Sequence, residues 1–292
     1  MSGQAIGTGR MPASARERVV AVLDIGSSKI CCLIFAVDAH ARDIRPLSED
    51  IPARLLGLGH QRSKGIKAGT IVDLVDAEAA IRAAVSRAET NAGTRIEEVF
   101  VSVGCGRLRS LDFSARTKVA DEGVGDLDID RVHRAGRAYA TKDGRALLHL
   151  HRSSYGLDGE TGIANPRGMA GTDLSAQLHA VVADESPLRN MTLLVERCYL
   201  GIAGLVAAPF ASGLAVLSEE EANLGATVID LGGGTTTVSV FADGHFIHAD
   251  AIAIGANHLS YDIARTLSTP LYEAERIKTL YGNLMGASSD DR

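Results

Sequence analysis

The chain has 292 residues, of which 46% are hydrophobic, 23% charged and 4% aromatic; this excludes disorder, collagen and coiled coil and leaves length for about two domains of roughly 150 residues each. Thirty Lys plus Arg against thirty-six Asp plus Glu give a net charge of -6, so there is no basic field for phosphate attraction and no nucleic-acid partner is expected. Cys31, Cys32, Cys105 and Cys198 lie in apolar runs without C-x-x-C or zinc spacing, the usage of a reducing, cytoplasmic compartment.

Residues 1–18 are small, polar and mildly basic with no signal-like apolar core, and read as a disordered tail. Residues 19–24 and 30–37 are β-rich apolar runs around the turn residues Gly26, Ser27 and Ser28, which predicts a hairpin. Further strands are expected at 53–58 and 71–73. A helix is expected over 76–91, with Asp76 as N-cap and Gly93 just beyond its end. From about residue 96 to 172 the texture changes. Strands at 99–103, 108–117 and 146–155 surround a helix near 129–140, and a Gly-rich loop follows, as in a small inserted α+β unit. A strand at 174–182 and a helix at 187–198 then resume the earlier alternation.

Residues 198–217 carry no charge over a length near that of a membrane span, but Gly201, Gly204, Pro209 and Gly213 interrupt them. A buried strand, a turn and a buried helix is the better parse. Strands at 227–231, 236–241 and 246–254 and helices at 257–266 and 271–281 complete the chain. The alternation implies an α/β fold whose hairpins make the sheet mixed.

The P-loop, G-x-G-x-x-G, G-x-S-x-G and H-E-x-x-H motifs are all absent. Asp126, Asp128 and Asp130 imitate the start of an EF-hand loop, but Arg131 and Arg137 stand where Gly and Glu are needed, so helix capping is the expected use. His149 and His151 alternate on a strand, too few for a metal site, and read as paired surface histidines.

A repeated pattern remains. Asp24-Ile25-Gly26-Ser27-Ser28-Lys29 and Asp230-Leu231-Gly232-Gly233-Gly234-Thr235-Thr236 each follow one apolar strand and precede another, 206 residues apart. Small-residue turns expose consecutive backbone N–H groups to an anion, and glycine lets the backbone approach a phosphate. Lys29 adds a charge, and Ser27, Ser28, Thr235 and Thr236 add hydroxyls. The aspartates would repel phosphate alone, and make sense with Mg²⁺ between them and it. One Gly-rich turn is an ordinary hairpin; two copies flanked by strands favour a phosphate site.

At these residues the sequence resembles the actin, Hsp70 and sugar-kinase superfamily, in which duplicated domains clamp ATP and Mg²⁺ between two phosphate hairpins. The resemblance implies an actin-like ATPase fold, with Asp24 and Asp230 at the metal and Asp230 as the catalytic carboxylate. Gly255 would join the two turns in binding nucleotide, and Glu275 and Lys278 would hold the ribose. Residues 204–217 look like its connecting segment.

Within the superfamily the sequence is similar to the FtsA family of bacterial cell division. The features that carry this are Gly65-Ile66-Lys67-Ala68-Gly69-Thr70-Ile71-Val72-Asp73, Val101-Ser102-Val103-Gly104, Val195-Glu196-Arg197-Cys198 and the insertion. This implies subdomain 1A at 19–95 and 173–220, subdomain 1C at 96–172 and the start of subdomain 2A at 221–292. It also implies an ATP-binding protein that polymerises at the inner face of the cytoplasmic membrane, self-associates through 1C and tethers FtsZ beside other division proteins. Ala208 occupies the place of a water-positioning Glu, so weak ATPase activity at most is expected. Only 62 residues follow Asp230, so the second domain is expected to be incomplete, without a membrane-binding terminal helix. An ATPase or phosphotransferase of the same superfamily, or a pilus-assembly platform protein of the same fold, stays open.

Overall fold

β1 (Glu17–Ile25) and β2 (Lys29–Asp38) alternate in burial, placing Ala21, Leu23 and Ile25 with Ile30, Cys32 and Ile34 in one core, as the two-residue period of a strand requires. The computed structural model describes residues 17–38, 53–104 and 107–283. Glu17 and Arg18, read as tail, open β1; the rest of that tail and Cys105 lie outside the described residues. β3 (Ala53–Arg62) extends the hairpin into a meander and passes the expected end at Leu58.

β4 (Ile66–Lys67) and β5 (Thr70–Ile71) form a small ribbon. The strand expected over 71–73 stops at Ile71 because Asp73, not Asp76, caps α1 (Leu74–Ala92): its carboxylate accepts from the N–H groups of Val75 and Asp76 at 2.9 and 3.0 Å. Gly93 ends α1 at φ 69°. α1 lies directly on β3. A Cβ added at Gly59 would stand 1.7 Å from the Ala84 carbonyl oxygen, and one at Gly57 2.2 Å from that of Ala88.

β6 (Glu98–Val103) leads into the inserted unit, formed by β7 (Arg109–Lys118), α2 (Asp126–Ala140), β8 (Arg145–Leu157), β9 (Glu160–Ile163) and β10 (Asp173–Asp184). β9 lies in what reads as a Gly-rich loop, where Ile163 and Glu160 pair with Tyr155 and Leu157. β10, read as a return to the outer domain, instead pairs along its length with β7 and β8. Asp128 closes the first turn of α2, accepting from Gly125 N–H at 2.8 Å and Ala120 N–H at 3.3 Å.

α3 (Glu185–Arg197) precedes β11 (Gly201–Ala207), which passes without a turn into α4 (Ala208–Val216), whose first turn holds Pro209. Most of this uncharged segment is half-exposed rather than buried, and among the described residues no helix is long and apolar enough to cross a membrane. The unforeseen α5 (Glu219–Leu224) starts from a reciprocal cap between Ser218 and Glu221. β12 (Ala226–Leu231), β13 (Thr236–Ala242), β14 (His245–Ile252), α6 (Ala256–Thr266) and α7 (Leu271–Tyr281) follow.

The first main sheet has the order β11-β6-β1-β2-β3, parallel across β11, β6 and β1 and antiparallel across β1, β2 and β3. It shares one apolar core with α1 and α3. The second, antiparallel throughout, has the order β12-β13-β14-β7-β10-β8-β9 and joins the second hairpin to the inserted unit through Asp250 and Arg109. The architecture is the mixed α/β one expected, with an α+β insertion.

Candidate functional site

The second hairpin repeats the register of the first. Asp24 opposes Cys31 and Ile25 opposes Ile30; Asp230 opposes Thr237 and Leu231 opposes Thr236. Each turn is closed at the same offset, by Gly26 N–H donating to the Lys29 carbonyl at 3.0 Å and Gly232 N–H to the Thr235 carbonyl at 2.9 Å. The turns face each other across a cleft of about 290 Å³ whose lining includes Asp24, Gly26, Ser27, Ser28 and Lys29 on one side and Asp230, Gly232, Gly233 and Thr235 on the other.

The tips are in contact. A Cβ on Gly233 would stand 2.8 Å from the Ser28 Cβ, and one on Gly234 2.6 Å from Ser27 Oγ. Only glycine permits this approach. Ser27 Oγ accepts from Gly69 N–H at 2.8 Å, tying the first turn to the β4–β5 ribbon. Ala256 and Asn257 N–H donate to the Gly232 and Gly233 carbonyls at 2.9 and 2.8 Å, which anchors α6 behind the second turn.

Both carboxylates are at the floor of the hairpins. Burial pushes the Asp24 carboxyl above its usual range; a Ser102 hydrogen bond and the Lys29 charge pull it down, and Asp230 pushes it up again. Ser212 of α4 donates to Asp230 Oδ2 at 3.0 Å. Among the described residues no group of three or more His, Cys, Asp or Glu side chains is arranged to hold a metal. A cation between Asp24 and Asp230 would therefore take its other ligands from water and the bound anion, the habit of Mg²⁺.

Not every predicted residue lines this cleft. Gly234 holds the contact with Ser27 from behind, and Thr236 Oγ1 donates to the Ile254 carbonyl at 2.7 Å. Gly255 backs the second turn, where an added Cβ would stand 2.4 Å from the Gly232 carbonyl oxygen. Glu275 and Lys278 engage each other at 2.8 Å, and Lys278 Nζ also donates to Ser260 Oγ at 2.8 Å while that hydroxyl donates to Glu275. These contacts hold the Glu275 carboxyl below its usual range and tie α7 to α6; neither residue lines the cleft.

The lining adds Gly69, Gly104, Ala208 and Thr237. Thr237 Oγ1 is buried without a hydrogen-bond partner among the described residues. Gly104 and Ala208 sit in segments whose wording marks a family rather than a chemistry. The roles of Ser102 and Ser212 depend on strand pairing and on the placement of α4 beside β12, which no local motif signals.

A family model described as "Cell division protein FtsA" matches residues 227–292, and one described as "SHS2 domain inserted in FTSA" matches residues 105–182. The chain is 41% identical over 284 residues to cell division protein FtsA of Rhizobium meliloti, covering 96% of this chain and 63% of that protein. It is 34% identical to the FtsA of Neisseria meningitidis, over 91% of this chain and 62% of the other, and 28% identical to that of Escherichia coli K12, over 93% and 62%. The chain thus spans less than two thirds of these relatives. Among solved structures it is similar to a PilM-PilN type IV pilus biogenesis complex, with TM-score 0.64 and 15% identity, covering 90% of this chain and 70% of the other.

Proposed function

The chain belongs to the FtsA family of cell division proteins and has the actin-like fold, and from that premise we propose that the cleft between its two hairpins binds ATP with Mg²⁺. The observation that carries the reading is the pair of turns, closed by the same hydrogen bond and touching at Gly233, Gly234, Ser27 and Ser28, with one aspartate behind each. The residues present suit the ligand: glycine-lined backbone, Lys29 and hydroxyls for phosphate oxygens, carboxylates for a hard cation. The Thr237 hydroxyl, without a hydrogen-bond partner among the described residues, is a further polar group of this cleft.

Asp24 and Asp230 are the side chains that would hold Mg²⁺, and the bound ion would supply positive charge to offset the repulsion between carboxylates and phosphate. Lys29 neutralises charge at the first turn, Ser212 fixes the Asp230 carboxylate, and the turn glycines keep both backbones within reach of one ligand. In this reading the protein is a cytoskeletal component of bacterial division that polymerises at the inner face of the cytoplasmic membrane and tethers FtsZ. The inserted unit serves as a surface for self-association and for other division proteins. Identity of 41% to an FtsA supports this assignment over the pilus protein, whose 15% identity speaks to fold alone.

Titration with a fluorescent ATP analogue tests the site. Asp230→Asn and Lys29→Ala are each expected to weaken Mg²⁺-dependent binding by about 1.5–3 kcal/mol, the range for hydrogen bonds to charged groups, and chelation of Mg²⁺ to weaken the wild type likewise. Equal affinity in all samples would sink the two-hairpin reading.

Hydrolysis is expected to be slow, because the residue that opens α4 at the cleft is Ala208, a methyl group with nothing to orient water. General-base or water-positioning groups contribute about 10²–10⁴ in rate. Steady-state phosphate release should accordingly be low and rise in Ala208→Glu; brisk release by the wild type would assign that work to another residue.

A further inference from the structure

The histidines of β8 are not a surface pair. His149 and His151 stack at 5.8 Å between ring centroids, and His151 stacks at 6.1 Å on His179 of β10. This column packs against Phe210 of α4 and Phe246 of β14, with His149 4.7 Å from the Phe210 ring. At one end His179 Nε2 and Ser110 Oγ are 2.8 Å apart, and that hydroxyl accepts from Ala249 N–H at 2.6 Å. At the other end His149 Nε2 accepts from Ala207 N–H at 2.9 Å. Burial pushes the His149 imidazole down to about 4, so at neutral pH it is an uncharged acceptor.

Ala207 is a special place in the chain. It is the last residue of β11, the edge strand of its sheet, and the next residue, Ala208, begins α4 and lines the cleft. Its N-cap residue is Ala207 itself, whose methyl side chain makes no capping hydrogen bond. Four residues further along α4, Ser212 holds the Asp230 carboxylate. A contiguous path therefore runs from an imidazole of the inserted unit, through the strand-to-helix junction, to the second hairpin.

We infer that His149 is a positioning residue: by accepting the Ala207 N–H and packing on Phe210 it pins the start of α4, and so fixes Ala208 and Ser212 against the second turn. The inserted unit is thereby coupled to the cleft, and whatever shifts β8 biases the placement of Asp230. The cleft's ligand is taken from the nucleotide reading above, while the coupling itself is read without ligand.

The test compares the wild-type chain with His149→Leu and His149→Met, which delete the acceptor, and with His149→Gln, whose carboxamide oxygen can take the place of Nε2. Two quantities are read: amide exchange at Ala207 and Gly232, and affinity for a fluorescent ATP analogue with Mg²⁺. In His149→Leu both amides are expected to exchange about tenfold faster and affinity to fall about tenfold, within the usual range of coupling between sites. His149→Gln should restore both to near wild type. If His149→Leu does not fold, His149→Met gives the same reading with a more adaptable side chain.

Faster exchange at Ala207 with Gly232 and affinity unchanged would overturn the coupling. Equal losses in all three variants, Gln included, would reduce His149 to packing. A wild type that binds no nucleotide would defeat the nucleotide reading alone, since exchange at Gly232 would still decide the coupling.

Discussion

Replacing Gly234 with valine is expected to lower Mg²⁺-dependent ATP affinity by about thirty- to a hundredfold, a loss as large as that expected from removing a charged group of the cleft. The Cβ alone would stand 2.6 Å from Ser27 Oγ, 2.7 Å from Ser27 Cβ and 3.0 Å from the Ala68 Cα, so the turns must part before the side chain fits. Overpacking of this kind costs about 1–3 kcal/mol, and each 1.4 kcal/mol is about tenfold in affinity. The strain falls on the contact that sets the spacing of the two turns. Gly104→Ala is the matched control, because its Cβ would meet Ala208 Cβ at 3.5 Å, an ordinary contact, in the same cleft. Normal binding by Gly234→Val would show that the touching tips are irrelevant to the ligand.

Gly59→Val is expected to destabilise the fold by about 3 kcal/mol or more, at the top of the range for overpacking. A Cβ there would stand 1.7 Å from Ala84 O and 2.8 Å from Ala88 N, both helix backbone, which cannot move aside as a flexible side chain could. α1 approaches this closely because its buried stripe is mostly alanine, with Ala77, Ala80, Ala84 and Ala88 facing the sheet. Urea denaturation followed by circular dichroism reads the loss, with Gly123→Ala, whose nearest contact would be 3.5 Å, as a near-neutral reference. Equal midpoints for Gly59→Val and the wild type would contradict the direct packing of α1 on β3.

The parts of this fold that local chemistry dictates were legible in the sequence. The D-x-G turns announced both hairpins, because a carboxylate followed by small turn residues between apolar strands has few structural uses. Gly93 marked the end of α1 for the same kind of reason, its φ of 69° being one that glycine adopts freely. What depends on partners distant in the chain was not legible. β10 carries an ordinary strand pattern, and nothing local says that it pairs with β7 and β8 rather than with the outer sheet. His149 and His151 alternate like surface residues until Phe210, more than fifty residues later, covers them. Thr237 escaped notice because it follows the motif, and its place in the cleft comes from its register opposite Asp230. Glu275 and Lys278 were singled out by resemblance; their spacing also suits the helix ion pair that they form.

The central claim, that both hairpins grip one nucleotide, is tested most directly by following the backbone amides of Gly26, Ser27 and Ser28 together with Gly232, Gly233 and Thr235 as ATP and Mg²⁺ are added to the isotopically labelled chain. The two sets of amides are expected to shift in one transition with a single dissociation constant, and to lose that transition together when Mg²⁺ is chelated. Shifts confined to one turn, or two transitions with different constants, would contradict the account.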